Sequence, residues 1–380
     1  MKIITIIGAR PQIIKAAALS RAISKASNKI TEIIVHTGQH YDQNMSAVFF
    51  EELGIPQPKY NLNSGSGMHG EQTAKMIADI ESILIKEKPS CIVLYGDTNS
   101  TLAGAIAASK ILVPVVHIEA GLRSFNKKMP EEINRITCDH VSTLLFSPTK
   151  AGIKNLTKEG FDPKNNPPYT VDNPGVFHCG DIMYDNSIYF SMRANEKTNV
   201  ISENKLKPNK YILATIHRNN NTDEPENLNA LFAALNTIST SKKQQIILPL
   251  HPRTASLLEK HLDKDLYKSI KNNKDFKLIS PVSFLEMIAL EKNALLVITD
   301  SGGVQKEAYF FKKPCIILRE ETEWTELVEN GCAILSGTDT EKIINAYDYL
   351  VEQNNFEFPE IFGDGNAAEF ISETLISNFS

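Results

Sequence analysis

Asp300, Ser301, Gly302 and Gly303 follow directly on the apolar run 294–299, and Glu307 comes within two turns of them. These residue types point to one chemistry. A serine can cap the helix that starts there, and two glycines allow a ligand to approach backbone that side chains would shield. Free N–H groups and the positive dipole end of a helix start together make a diphosphate site. Glu307, about one and a half turns along that helix, has the reach to hold the two hydroxyls of a ribose. Strand, small-residue turn, helix and acid together point to a nucleoside diphosphate. The alternative is an ordinary capped helix after a core strand.

Other chemistry-bearing residues stand at the ends of apolar runs. Gly8-Ala9-Arg10-Pro11 ends the first, with Lys15 one turn beyond. The spacing is not G-x-G-x-x-G, so a dinucleotide fingerprint is absent, but Arg10 and Lys15 could hold a phosphate. Asp97, in Gly96-Asp97-Thr98, suits a helix cap or an acid/base role. Glu119, before the turn at Gly121, suits acid/base work or a salt bridge to Arg123. Pro130-Glu131-Glu132 reads as a helix start, where the dipole alone favours acids. Glu131 and Arg135 share a face at i, i+4, with Glu132 pointing elsewhere. His217 and His251 each end a run, and either could protonate or bind a leaving phosphate oxygen, or be a satisfied core histidine. No His or Cys pair has the helical zinc spacing, so no metal is expected.

Positioning these residues requires a repeated strand–helix alternation, and the chain shows it throughout. Strands are predicted at 2–7, 32–36, 91–95, 113–118 and 144–147, with a helix from Pro11 to about Lys25 and an alanine-rich one at 103–110. Prolines 163, 167, 168 and 174 among asparagines make 161–175 a loop or hairpin that ends the first half. The pattern restarts at 211–216, 245–250, 276–279, 295–299 and 315–318. This is α/β, two Rossmann-like domains with parallel sheets facing a central cleft. Ligands bind open sheets at the carboxyl ends of the strands. Arg10, His40, Asp97, Glu119, His217, His251, Ser301 and Arg319 all fall at such ends. The expected boundaries are 1–178 and 179–363, with 364–380 crossing back onto the first domain.

Composition narrows the function. A length of 380 residues suits two cores, and 42% hydrophobic residues exclude disorder. A net charge of −5 without a basic tract argues against nucleic acid. Five scattered cysteines without a C-x-x-C read as buried free thiols of a reducing compartment. No signal-peptide pattern opens the chain and no run approaches the roughly 18 apolar residues of a membrane span. A cytoplasmic protein, with no membrane partner, is expected.

Taken together, these motifs resemble the non-hydrolysing UDP-N-acetylglucosamine 2-epimerase family. The likeness runs in fixed order through Gly8-Ala9-Arg10-Pro11, Thr37-Gly38-Gln39-His40, Gly96-Asp97-Thr98, 117–123, 130–135 and 299–303 to Gly363-Asp364-Gly365. It implies the two-domain fold of GT-B glycosyltransferases and C2 epimerisation of a UDP-N-acetylhexosamine, serving surface polysaccharide precursors. By resemblance, Asp97, Glu119, Glu131 and His217 form the catalytic set, the carboxylates around the sugar and the histidine facing the departing diphosphate. Arg10, Lys15, His251, Met287, Ser301, Gly302, Gly303, Glu307 and Arg319 form the substrate and UDP set. No cofactor is implied, in keeping with the missing fingerprint, and a homodimer is expected. The segment 63–70 lacks the arginine by which regulated members bind a second UDP-sugar. The segments 124–129 and 321–326 look closer to the UDP-2,3-diacetamido-2,3-dideoxy-glucuronate 2-epimerase branch. There, Lys127 and Lys128 could meet a sugar carboxylate.

Overall fold

A computed structural model describes residues 1–26, 29–39, 50, 53–65, 67–250, 252–353 and 355–380. The chain divides into two compact units, Met1–Asn186 with Glu360–Ser380, and Ser187–Pro359. The first begins with β1 (Lys2–Ile7), α1 (Arg10–Lys25), β2 (Thr31–His36), β3 (Tyr60–Asn61) and α2 (His69–Glu87). It continues through β4 (Cys91–Tyr95), α3 (Asn99–Lys110), β5 (Val115–Ile118), α4 (Pro130–His140), β6 (Leu144–Ser147), α5 (Lys150–Lys158) and β7 (Gly175–His178). Helix α6 (Ile182–Lys197) leads into the second unit.

That unit comprises α7 (Val200–Glu203), β8 (Tyr211–Thr215), α8 (Asn219–Thr222), α9 (Pro225–Ser241), β9 (Gln245–Pro249), α10 (Pro252–His261) and α11 (Lys264–Asn272). Then follow β10 (Phe276–Ile279), α12 (Phe284–Asn293), β11 (Leu296–Thr299), α13 (Gly302–Phe310) and β12 (Cys315–Ile317). It ends with α14 (Thr325–Glu329), β13 (Ala333–Leu335) and α15 (Thr340–Glu352), and α16 (Ala367–Phe379) returns to the first unit.

Both sheets are parallel, in the orders β3-β2-β1-β4-β5-β6-β7 and β10-β9-β8-β11-β12-β13. All five residues of β4 and of β8 are buried, as parallel strands covered on both faces must be. The small residues of α3 let it close on the first sheet: a side chain on Gly104 would come within 2.6 Å of Leu94. In the second unit Ile212, Leu235, Ile246, Leu296 and Ile316 meet in one core. Strand order reverses between β1 and β4 in one sheet and between β8 and β11 in the other. Such reversals open a crevice at the strands' carboxyl ends.

The two-domain α/β expectation holds. Three strands escaped the sequence reading: β3, β7 and β13 have two, four and three residues, too few for a hydrophobic period to show. Helix α2 was also unforeseen. All five cysteines are free thiols. Among the described residues no helix is long and apolar enough to cross a membrane.

Candidate active site

In the first unit the crevice between β1 and β4 begins at Gly8. A side chain there would lie 2.1 Å from Ser100 Oγ and 2.2 Å from Thr37 Oγ1, so glycine lets the turn close on α3. Gln12 locks the turn, its Oε1 accepting from the amides of Gly8 and Ala9 and its Nε2 donating to the Tyr95 carbonyl. Arg10, the first residue of α1, is exposed. Lys15, one turn further, is buried with its Nζ 2.6 Å from Glu119 Oε2. Glu119 adopts a left-handed backbone, φ 74°, a conformation that costs a non-glycine residue about 1–3 kcal/mol and collects at functional sites. Gly96 makes room for the pair: a side chain on it would come within 3.3 Å of Lys15 Nζ and 3.4 Å of Glu119 Oε1.

Asp97 forms an ion pair with Arg135, and the Asp97 carbonyl accepts from Asn134. It does not cap α3. Thr98 does, its hydroxyl accepting from the Thr101 amide. Arg135 also lies close enough to Glu119 to feel its charge, so Lys15, Glu119, Asp97 and Arg135 form one alternating set.

The faces of α4 differ from expectation. It is Glu132, buried, that pairs with Arg135 at 3.1 Å, and its carboxylate also accepts from the amides of Ser124 and Phe125. Spacing at i, i+3 serves a helix face as well as i, i+4, and the Glu132 side chain reaches back over the preceding loop. Glu131 is exposed and, among the described residues, makes no ion pair or side-chain hydrogen bond. Arg123 pairs with Asp139 and Glu159, at 2.8 and 2.7 Å, not with Glu119.

His117 and Asp139, which the sequence reading passed over, hold both turns in place. His117 Nδ1 lies 2.6 Å from Asp139 Oδ1 and Nε2 lies 2.8 Å from the Gly96 carbonyl oxygen. Two acceptors require two N–H donors, so this buried ring is an imidazolium. Burial opposes that charge, and the neighbouring Cys138 and Asp139 outweigh it, holding the ring well above its ordinary range. Burial also works against the Asp139 carboxylate, yet His117 and Arg123 hold it below the usual value. Asp139 further accepts from the Gly121 amide at 3.1 Å. The buried cluster thereby fixes Gly96 and Gly121, which flank Asp97 and Glu119.

In the second unit the crevice between β8 and β11 is built around Asp300. Fully buried, it accepts from the amides of His217 and Arg218, both at 3.0 Å, and from Asn221 Nδ2 at 3.1 Å. Its other contact is His217 Nδ1, at 3.1 Å. Burial would raise this carboxylate, and its bonds to His217 and Arg218 bring it below the ordinary value. A carboxylate that orients an imidazole through Nδ1 leaves Nε2 to face a reacting group. His217 is half exposed.

Ser301 caps α13, its hydroxyl accepting from the Val304 amide at 3.5 Å. Gly302 and Gly303 then add no side chains of their own, and a side chain on Gly302 would come within 3.5 Å of Glu323 Oε2 and 3.8 Å of Arg319 Nη1. Arg319, after β12, faces this start through a bidentate pair with Glu323, 2.8 and 3.0 Å. Asn221 bridges Asp300 and the carbonyl of Leu318, and a cavity of 320 Å³ lies among Arg218, Asn221 and Arg319. Glu307 lies on α13 beside the Glu291 carboxyl of α12. Met287 is half-buried on α12. His251 lies outside the described residues. No cluster of three or more His, Cys, Asp or Glu with metal-binding geometry occurs among the described residues.

Comparison with known proteins identifies the family. Residues 22–376 match the family model for UDP-N-acetylglucosamine 2-epimerase. A Methanococcus maripaludis UDP-N-acetylglucosamine 2-epimerase homolog is 50% identical, with 99% of each chain covered. The Pseudomonas aeruginosa UDP-2,3-diacetamido-2,3-dideoxy-D-glucuronate 2-epimerase is 46% identical, again over 99% of each. The crystal structure of Methanocaldococcus jannaschii UDP-GlcNAc 2-epimerase with UDP-GlcNAc and UDP superposes with a TM-score of 0.84. It is 43% identical and covers 99% of this chain and 100% of its own. With carboxylates paired to cations at one sheet's reversal, a glycine-rich helix start at the other, and these likenesses along its whole length, the chain belongs to the UDP-N-acetylglucosamine 2-epimerase family of isomerases.

Proposed function

We propose that the protein interconverts a UDP-N-acetylglucosamine-type sugar nucleotide and its C2 epimer without hydrolysis, by eliminating and re-adding UDP. The C2 proton of an N-acetylhexosamine adjoins no carbonyl and is not acidic enough to leave directly. If the C1–oxygen bond breaks, its electron pair goes to the diphosphate. The C2 proton passes to a carboxylate and a C1–C2 double bond forms. Re-addition of UDP, with protonation of C2 from the opposite face, gives the epimer. Such a path requires cationic and backbone stabilisation of the diphosphate and acid/base groups on two faces of the sugar.

The second unit would hold UDP: diphosphate at Ser301, Gly302, Gly303 and Arg319, with Arg10 and Lys15 as further cations, and His251 and Met287 completing the nucleotide contacts. Glu307 would take the ribose, and His217 would serve the leaving oxygen. Asp97, Glu119 and Glu131 would serve C2. The single observation that carries this reading is Glu119, turned into a left-handed backbone and held 2.6 Å from Lys15 Nζ. A core salt bridge needs no such strain, whereas a base aimed at a substrate does. No nicotinamide or metal is required. A cytoplasmic homodimer is the assembly that the family resemblance supports.

The 46% identity to the diacetamido-glucuronate enzyme supports a second substrate, with the exposed Lys127 and Lys128 near its C6 carboxylate. One experiment addresses both readings: proton NMR of turnover in heavy water, with each sugar nucleotide supplied separately. Deuterium should enter C2 of the recovered UDP-sugar. Epimerisation with full retention of the original C2 proton would rule out elimination, and the faster of the two substrates identifies the branch.

A further inference from the structure

Glu291 has no role in the reaction as described, yet it is fully buried on α12. No N–H or hydroxyl donor among the described residues reaches either of its carboxyl oxygens. The hydroxyl of Tyr211, which would feel a charge on Glu291, donates instead to the carbonyl of Leu290 at 2.6 Å. The polar group that Glu291 does meet is the carboxyl of Glu307, within hydrogen-bonding reach on α13. Two carboxylates at that distance, one of them wholly removed from water, cannot both be ionised. A hydrogen bond between them requires one proton, and the fully buried member keeps it.

We propose that Glu291 is a positioning residue for the nucleotide site: as a neutral acid it donates its O–H to Glu307 and so fixes that carboxylate for the ribose. The proposal rests on the reading of Glu307 as the ribose ligand. Burial, first, and the charge of Glu307, second, both push the Glu291 carboxyl well above its ordinary range. The ionisable groups facing it, Tyr211 from β8 and Glu307 from α13, supply no positive charge to reverse this. The arrangement leaves Glu307 as the ionised partner. With one of its oxygens engaged by the Glu291 proton, little orientational freedom remains for the Glu307 carboxylate to lose when a ribose binds. Among charged acceptors, a pre-aimed carboxylate gives the stronger ligand bond.

The test uses the full-length enzyme and three variants, Glu291→Gln, Glu291→Leu and Glu307→Ala, with UDP affinity measured by calorimetry. An amide can donate where the acid did, so Glu291→Gln should bind UDP within about twofold of wild type. Glu291→Leu keeps the volume and removes the donor, and should bind about five- to tenfold more weakly. Glu307→Ala should bind about ten- to a hundredfold more weakly. Independently of any nucleotide, the infrared difference spectrum between wild type and Glu291→Gln at neutral pH should contain a protonated carboxylic acid band. Absence of that band overturns the proposal, as does equal weakening in the Gln and Leu variants. Wild-type affinity in Glu291→Leu alongside weakened Glu307→Ala also overturns it, while leaving the ribose reading intact. Wild-type affinity in Glu307→Ala removes the ribose reading itself, and with it the role given to Glu291.

Discussion

The two sheets place their reversals identically and use them in opposite ways. In the first unit, the helix after the reversal strand is closed by the protein itself. The Ser100 amide donates to Gln39 Oε1 at 3.1 Å, the Ser100 hydroxyl donates to the same oxygen at 2.7 Å, and Thr98 caps the Thr101 amide. Gly8 packs so tightly on Ser100 and Thr37 that it leaves no room for a side chain. In the second unit, the helix after the equivalent strand begins with Gly302 and Gly303, and Arg319 faces it across Glu323. A helix N-terminus attracts anions wherever its amides are free. The first unit fills its own, and its crevice carries ion-paired carboxylates instead. In the second, Ser301 caps the Val304 amide, Glu323 and Arg319 lie beside Gly302, and the crevice carries a histidine held by an aspartate. A shared topology thus carries paired carboxylates at one reversal and a histidine with a glycine-rich helix start at the other.

This division can be broken from either side. The largest effect should follow Glu119→Gln, which removes a proton acceptor while keeping its shape beside Lys15. Turnover should fall roughly 100-fold or more, within the range for a lost acid/base group, with UDP affinity within about twofold. Near-normal turnover would show that the first unit's carboxylates are structural.

A smaller effect should follow Gly303→Val in the other crevice. The nearest atom to an added side chain there is Ser301 Oγ at 3.9 Å, so the fold has room for it. The diphosphate does not, if it lies against the helix start. UDP should bind about tenfold more weakly, roughly 1.4 kcal/mol, with the melting temperature little changed. Unchanged calorimetric affinity would place the diphosphate elsewhere.

Much of this was legible in the sequence because strand ends and glycine turns are local signals. The glycine-rich helix start at Ser301, Gly302 and Gly303 and its acid at Glu307 could be read without any partner in view. Pairings across the fold could not. Glu131 and Glu132 are adjacent in a first turn, and only the loop at Ser124 and Phe125 decides that Glu132 is the buried partner of Arg135. Asp139 did leave a trace: it lies in the last turn of α4, where the helix dipole disfavours an acid. An acid so placed has a specific partner, and His117 and Arg123 supply it. Asp300 was within the recognised motif, but its hold on His217 needs the neighbouring strand. Gln39, whose side chain closes α3, lies 61 residues from its partner.

That closure yields the smallest and most specific test of the comparison. Gln39→Ala should expose the Ser100 amide at the start of α3 and remove two hydrogen bonds to one oxygen. Loss of a side-chain cap costs about 1 kcal/mol, which in a unit of this size lowers the melting temperature by about 2–4 °C. Gln39→Glu keeps an acceptor for both donors and adds a negative charge at a positive dipole end, so it should retain wild-type stability or exceed it slightly. Alanine and glutamate thus separate the need for an acceptor from the need for an amide. If Gln39→Ala melts with wild type, the first helix start is not held closed by this residue. The contrast between the two crevices would then rest on Gly8 alone.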